Sequence, residues 1–248
     1  MNAHNFYLDN KDNQVLPKPL PDYNIIDQAK WILGGNGYQW VELDTIFNVE
    51  SWQKDVQQAK YDWVSHRDIH IGEGTHIGWD SCTLHGIATD KTNVWQTYGY
   101  EKEPEYSWTS LGKRCKNIKS FFDHVFPSES YSRIRFMRLA QLGSISPHND
   151  YSPVIDMDNI LDAPLPINVA ISHPENCYMT LKDSGCVPFD TGKMFMVNIF
   201  RDHSVVNLSR EERVHLIAHC NLGNRKQDFC EMLVRSYQKQ HEYISSQI

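Results

Sequence analysis

Between Ser132 and Leu222 the chain runs through RIRFMRLAQL, PINVAISH, CYMTLK, KMFMVNIF and RVHLIAHC, short apolar or alternating stretches parted by Gly, Pro, Asn and Asp. They are short for buried helices and rich in Val, Ile and Phe, whose branched or flat side chains suit a pleated surface. Many short strands at this spacing must pair with one another, so a β-sandwich or barrel is the expected core.

The flanks read differently. Pro17, Pro19 and Pro21, then Gly34, Gly35 and Gly37, break the first forty residues into an irregular lead with one short helix around Ile25 to Leu33. YQWVELDTIF is β-rich, and SWQKDVQQAKYDW behind it has helical spacing with Ser51 as cap. Ser81 to Gln96 reads as strand with a central turn, Ser110 to Phe126 as an amphipathic helix stopped by Pro127, and Arg225 to Tyr243 as a charged helix. The expectation is one domain over 1–248, mainly β within an α+β plan. A helical and strand lead and cap occupies 1–130, the β-core 131–222 and a C-terminal helix 223–248. No fixed-period repeat or low-complexity tract is present.

Hydrophobic residues at 40% and charged residues at 22% are ordinary globular usage, so the chain is expected to bury a core unaided. A net charge of −7 argues against a nucleic-acid partner, which needs clustered Lys and Arg. No run approaches the roughly 20 apolar residues of a membrane span, and the start MNAHNFYLDNKDNQ has no apolar signal core, so the expected location is the cytoplasm. The six cysteines form no CxxC pair, which weighs against structural zinc. Cys177 and Cys186 could face each other across a hairpin but are expected to stay reduced.

His148 and Asp150 lie two apart in SPHNDYSP after a strand, so in extended backbone both project to one side. Alone the pair reads equally as a solvated turn. Fifty-five residues on, His203 in FRDHSVVN follows KMFMVNIF and brings a third donor to a strand end. Two imidazoles and a carboxylate leave three positions open on a metal, the set that suits non-haem iron(II) oxygen chemistry. Ten residues later Arg213 opens RVHLIAHC, where a buried guanidinium needs an anion; its planar fork fits the distal carboxylate of 2-oxoglutarate. The competing expectation pairs Arg213 with Glu211, Glu212 or Asp202 at the surface.

In this combination the chain resembles the aspartyl/asparaginyl β-hydroxylases and the related proline hydroxylases. RIRFMRL before the first ligand and DTGKMFMVNIFRDHSVVNLSREERVHLIAH around the second carry the resemblance, over roughly residues 130 to 222. Gly192, His203 and Arg213 match the family's glycine before the distal strand, its distal histidine and its co-substrate arginine. The resemblance implies a double-stranded β-helix of jelly-roll, cupin-like form with flanking helices. It further implies an iron(II) dioxygenase that consumes O2 and 2-oxoglutarate, with ascorbate as activator. Some animal members lack the acidic ligand; Asp150 is present here, so the chain resembles the bacterial small-molecule branch at least as much as the peptide-modifying one. Where some members have a second carboxylate-binding arginine on the strand after the first ligand, this chain has Asn168.

If Arg213 points inward, alternation puts His215, Ile217 and His219 on its face, and His215 becomes a pocket candidate beside Arg213 and Asn168. Arg135 and Arg138 are three apart, so at most one faces inward, where it would suit a substrate carboxylate. The aromatic cluster Trp95, Tyr98, Tyr100, Tyr106 and Trp108 reads as a lid or as packing of the cap onto the barrel. His85, His124 and His173 are taken as structural or surface residues.

The leading functional expectation is hydroxylation of a small molecule, a free amino acid or derivative. Peptidyl aspartyl/asparaginyl β-hydroxylation shares the site but needs an open groove. A non-catalytic, cupin-like metal-binding sensor would need no dicarboxylate anchor at Arg213.

Overall fold

The computed structural model describes residues 2–16, 18–66, 76–150 and 157–247. Its first three strands are β1 (Trp40–Glu42), β2 (Val64–Ser65) and β3 (His76–Gly86), followed by β4 (Ser107–Trp108) and the long β5 (Ser130–His148). Then come β6 (Leu165–Ser172), β7 (Cys177–Leu181), β8 (Gly185–Cys186), β9 (Met194–Val197), β10 (His203–Asn207) and β11 (Arg213–Asn221). Helices α1 (Ala3–Asn10), α2 (Ile25–Leu33), α3 (Val49–Val56), α4 (Ser110–Arg114), α5 (Lys116–His124) and α6 (Lys226–Ser245) flank them.

Every described ladder is antiparallel, in the order β1-β9-β6-β11-β5-β10-β7-β8. One strand makes this ribbon curl into two walls. The first part of β5 pairs with β11, from Ser130↔Asn221 to Leu139↔Arg213, whereas its last residues pair with β10, from Ser144↔Val206 to His148↔His203. Between them Leu142 takes a left-handed φ of 56°, and a Cβ on Gly143 would lie 2.7 Å from the Ile77 carbonyl. Glycine is what fits that close approach. β5 therefore crosses from one wall to the other, pairing with β11 in the first and β10 in the second, in keeping with the jelly-roll that the resemblance implies.

Two apolar layers hold this shape. Leu139, Ile145, Ala170, Met179, Phe195 and Val205 meet between the walls, and Ile134, Phe136 and Leu216 pack outward against Trp52, Phe122 and Phe229 of the helices. Each large side chain so buried contributes about 1.5–3 kcal/mol. In α6 the residues Phe229, Leu233 and Tyr237 recur at helical spacing and are buried, which seats that helix on the first wall.

The flanks depart from expectation in three ways. MNAHNFYLDN holds a helix, α1, capped by Asn2 and stacked through Tyr7 on Tyr178. Asn48, not Ser51, caps α3, accepting the Ser51 N–H at 2.9 Å, because Asn48 is the residue that is still extended. The helix expected over Ser110 to Phe126 is two helices broken at Cys115, since the buried Asp55 carboxylate accepts the Asn117 and Ile118 N–H groups and starts α5 afresh. β1 and β3 also join the sheet from the lead. All six cysteines are free, and no described helix is long and apolar enough to cross a membrane.

Candidate active site

His148 ends β5 and His203 opens β10, and the two are registered partners, so their rings lie 4.3 Å apart at one rim. The expected placement of His203 behind the KMFMVNIF strand is corrected: β9 stops at Val197, and His203 begins the next strand. Asp150 is held two residues past β5 by its N–H, which donates to the Ile199 carbonyl at 3.0 Å. One ligand atom from each of His148, Asp150 and His203 lies within 4.8 Å of the others.

Both imidazoles are aimed. His148 Nδ1–H donates to the Ser146 carbonyl at 2.8 Å, and His203 Nδ1–H to the Arg201 carbonyl at 2.9 Å. Each Nε2 is left with its lone pair, and that of His148 sits 3.9 Å from the Asp150 carboxylate. Burial, then the neighbouring His148, lowers the pKa of His203 and keeps it neutral, as a metal ligand must be. The donor set fits a divalent iron with open positions. Trp79 packs against His66, His76 and His148 with ring centroids 4.3, 4.8 and 6.5 Å apart, a buttress that sequence reasoning missed. Its one sequence signal is the strand alternation in HIGWDSC.

Deeper between the walls, Arg213 is 4% exposed. Among the described residues no carboxylate reaches it: Glu212 lies 3.8 Å from Arg138, and Asp202 is 3.7 Å from Lys182 and 2.8 Å from the Asn149 amide. The surface pairing is thereby excluded. Arg213 Nε is buried with no hydrogen-bond partner, so the cation lacks an anion and has a donor to spare.

What Arg213 does have is a directed chain of imidazoles. His173 Nε2 faces the Cys177 carbonyl at 2.8 Å and must donate, so its Nδ1 accepts from His215 Nε2–H at 2.9 Å. His215 Nδ1 then accepts from Arg213 Nη2 at 2.7 Å. The Asn168 amide oxygen lies 2.8 Å from the same nitrogen; because that nitrogen accepts from Arg213 and carries no hydrogen, a bond there requires the amide to turn its NH2 inward. Both rings are neutral: burial pushes His173 down to about 4 and His215 well below its usual range. His173, expected to be a structural or surface residue, thus sets the tautomer that receives the arginine. Its position just beyond β6, opposite β11, was not legible from spacing.

Of the two arginines weighed in β5, Arg135 faces inward with Met137 and Leu139 and is 7% exposed. It donates to the Thr92 carbonyl at 2.5 Å and to His219 Nε2 at 3.3 Å, and its Nε has no partner. Arg138 lies on the opposite face, bonded to Asp80 at 2.8 Å and stacked 4.5 Å over Trp63, and is not brought to the site. Of the aromatic cluster, Trp108 is packing, bonded to Asp123 at 2.9 Å, while Tyr100 is exposed.

Solved structures of similar shape include an oxidoreductase of the 2OG-Fe(II) oxygenase family from Burkholderia pseudomallei, at 10% identity, 84% of this chain, 98% of that one and a TM-score of 0.46. A Pseudomonas putida prolyl-4-hydroxylase is similar at 10% identity, 78% and 98% coverage and a TM-score of 0.43. A Trichoplax adhaerens prolyl hydroxylase, in complex with a hypoxia inducible factor oxygen degradation domain peptide fragment, gives 8% identity, 82% and 92% coverage and 0.49. No curated protein matches the sequence. The family model for aspartyl/asparaginyl beta-hydroxylase matches residues 48–221, a span that holds both imidazoles, Asp150, Asn168, Arg213 and His215. The chain therefore belongs to the aspartyl/asparaginyl β-hydroxylase family, enzymes that depend on 2-oxoglutarate.

Proposed function

We propose that this enzyme hydroxylates a free amino acid or a related small molecule, with His148, Asp150 and His203 holding iron(II) and Arg213 the distal carboxylate of 2-oxoglutarate. The buried, anion-free Arg213 carries the reading, because a metal-binding sensor would have no use for an uncompensated cation beneath its metal. When bound, iron and 2-oxoglutarate supply the oxidising chemistry: O2 and 2-oxoglutarate are consumed, CO2 and succinate released, and one oxygen atom enters a substrate C–H bond.

The chain's own side chains do the rest. The Ser146 and Arg201 carbonyls keep each imidazole proton on Nδ1, so neither ligand rotates away from the metal. His173, His215 and Asn168 hold Arg213 from behind, which leaves Nε and the outer edge of its fork for the carboxylate. Val205, Phe195 and Leu139 keep that part of the interior dry, which strengthens the ion contact. Arg135, inward and without a carboxylate, supports an acidic substrate group next to the metal.

The test is succinate formation by the full chain with iron(II), ascorbate, O2 and 2-oxoglutarate, followed by mass spectrometry over free amino acids and short peptides. Stimulation by a free amino acid, with one oxygen added to it, is the expected result. Stimulation by peptides alone would move the enzyme to the peptidyl branch, and no succinate despite bound iron would sink the oxygenase reading.

A further inference from the structure

Four arginines at or near the surface are matched to acids. Arg114 meets Asp62 at 2.6 Å, Arg138 meets Asp80 at 2.8 Å, Arg225 meets Asp228 at 2.7 Å and Arg235 meets Asp44 at 3.3 Å. With 31 acidic residues against 24 basic ones, carboxylates are in surplus. Yet three arginines on the inner face of the first wall meet none among the described residues: Arg133, Arg135 and Arg213. Arg213, registered with Leu139 deep between the walls, is answered by the co-substrate.

Arg133 and Arg135 sit toward the other end of the same ladder, registered with His219 and Ile217. They alternate onto one face, about 7 Å apart along the strand. Arg135 is 7% exposed and has its unpartnered Nε. Arg133 is half-buried and makes no hydrogen bond or ion pair among the described residues. The group registered opposite it brings no negative charge, since His219 accepts from Arg135 and burial holds that imidazole neutral. Among the described residues the one carboxylate that acts on both guanidinium groups is Asp150, and Asp150 is committed to the metal. Besides Arg135 and His219, the uncharged groups Tyr98, Tyr106 and His66 lie within electrostatic reach of Arg133, and none of them is a carboxylate.

Two like charges at this spacing, one buried and one half-buried, are better balanced by two negative charges than by one. A single carboxylate engaged bidentately by Arg135 leaves Arg133 unanswered. We infer that the substrate is a small dianion, and that Arg133 receives its second negative charge while Arg135 takes the first. The class is an amino acid or similar acid carrying a second carboxylate or a phosphoryl group. This rests on the proposed function and narrows its substrate. Arg133 was not among the candidates drawn from the sequence.

The test uses the full chain loaded with Mn(II) and saturated with 2-oxoglutarate, so that the Arg213 subsite is filled and no turnover occurs. Calorimetry then compares matched pairs that differ in charge, glutamate with glutamine and O-phosphoserine with serine. The charged member of at least one pair should bind tenfold or more tightly than its partner, and which pair does so separates carboxylate from phosphoryl. Arg133→Gln should bring that ratio to about one while Mn(II) and 2-oxoglutarate still bind as before. Arg133→Met is the second variant should the first fold poorly, and Arg135→Gln should weaken both members together. Equal binding within both pairs, no binding of either charged compound, or a preference that survives Arg133→Gln overturns the inference. Failure of the unaltered chain to bind 2-oxoglutarate at all overturns the proposed function beneath it.

Discussion

Replacing Arg213 with methionine should move two quantities in opposite directions. On the ligand side, the change removes the charge-assisted contact proposed to hold the distal carboxylate of 2-oxoglutarate, in a site 4% exposed. Truncating one partner of such a pair costs about 2–5 kcal/mol, which at roughly 1.4 kcal/mol per decade is at least thirtyfold in affinity. On the folding side, the ligand-free protein carries a buried guanidinium whose Nε has no partner and which no described carboxylate neutralises. Burial already lowers its pKa, a sign that the charged form is held at a cost. Exchange of buried ionic groups for apolar ones of similar volume is often stabilising by about 1–4 kcal/mol. His215 Nδ1 loses its donor, and the Asn168 amide beside it can turn its NH2 to replace it, so little of that gain is returned. The net expectation is a ligand-free variant more stable by about 1–3 kcal/mol; at roughly 2–4 °C per kcal/mol for a chain of this size, Tm rises by several degrees. Saturating 2-oxoglutarate, about 2.7 kcal/mol at a hundredfold excess over Kd, should raise the Tm of the unaltered protein and leave the variant unmoved. Thermal unfolding with and without 2-oxoglutarate, with Mn(II) bound throughout, measures both. A variant that melts lower and binds 2-oxoglutarate as tightly as before would refute the reasoning, because Arg213 would then be a structural cation.

Three further outcomes follow from the geometry. His148→Ala should abolish tight Mn(II) or iron(II) binding, measured by metal analysis after gel filtration, while the circular dichroism spectrum persists; retained stoichiometric metal would reassign the ligands. His173→Phe should raise KM for 2-oxoglutarate about tenfold or more with metal affinity unchanged, because His215 loses the acceptor that sets its tautomer. His173 is also a group whose folded pKa, about 4, lies below the ordinary 6.5. The unfolded chain therefore binds the extra proton first, so stability is lost as pH falls from about 6.5 toward 4, and His173→Phe should flatten that loss in urea titrations. Gly112→Ala should destabilise by about 1–3 kcal/mol, since its Cβ would lie 2.0 Å from the Leu84 carbonyl; an unchanged denaturation midpoint would mean the α4 to β3 contact yields freely.

The β-core, the helix over Ile25–Leu33, the C-terminal helix and the donor set His148, Asp150 and His203 that the fold brings together were legible along the chain. Strand period, helix caps and the spacing of donors are local properties, written into neighbouring residues. Other features depend on what arrives from elsewhere in the chain. Asp55 reaches across more than sixty residues to divide α4 from α5, and no window of sequence contains both groups. Whether Arg135 or Arg138 faces inward turns on which face of β5 meets Leu139's neighbours, a register decided when β11 and β3 pair with it. The three unanswered arginines could not be seen in a sequence rich in acids, because charge counts do not say which acids come within reach. His173 became part of the Arg213 support only when β6 and β11 paired, which brought two imidazoles 42 residues apart to 2.9 Å. Sequence alone determined which side chains could hold a metal and a dicarboxylate; tertiary structure decided which of them face one another away from water, and in that setting an unpaired charge becomes a demand for a ligand.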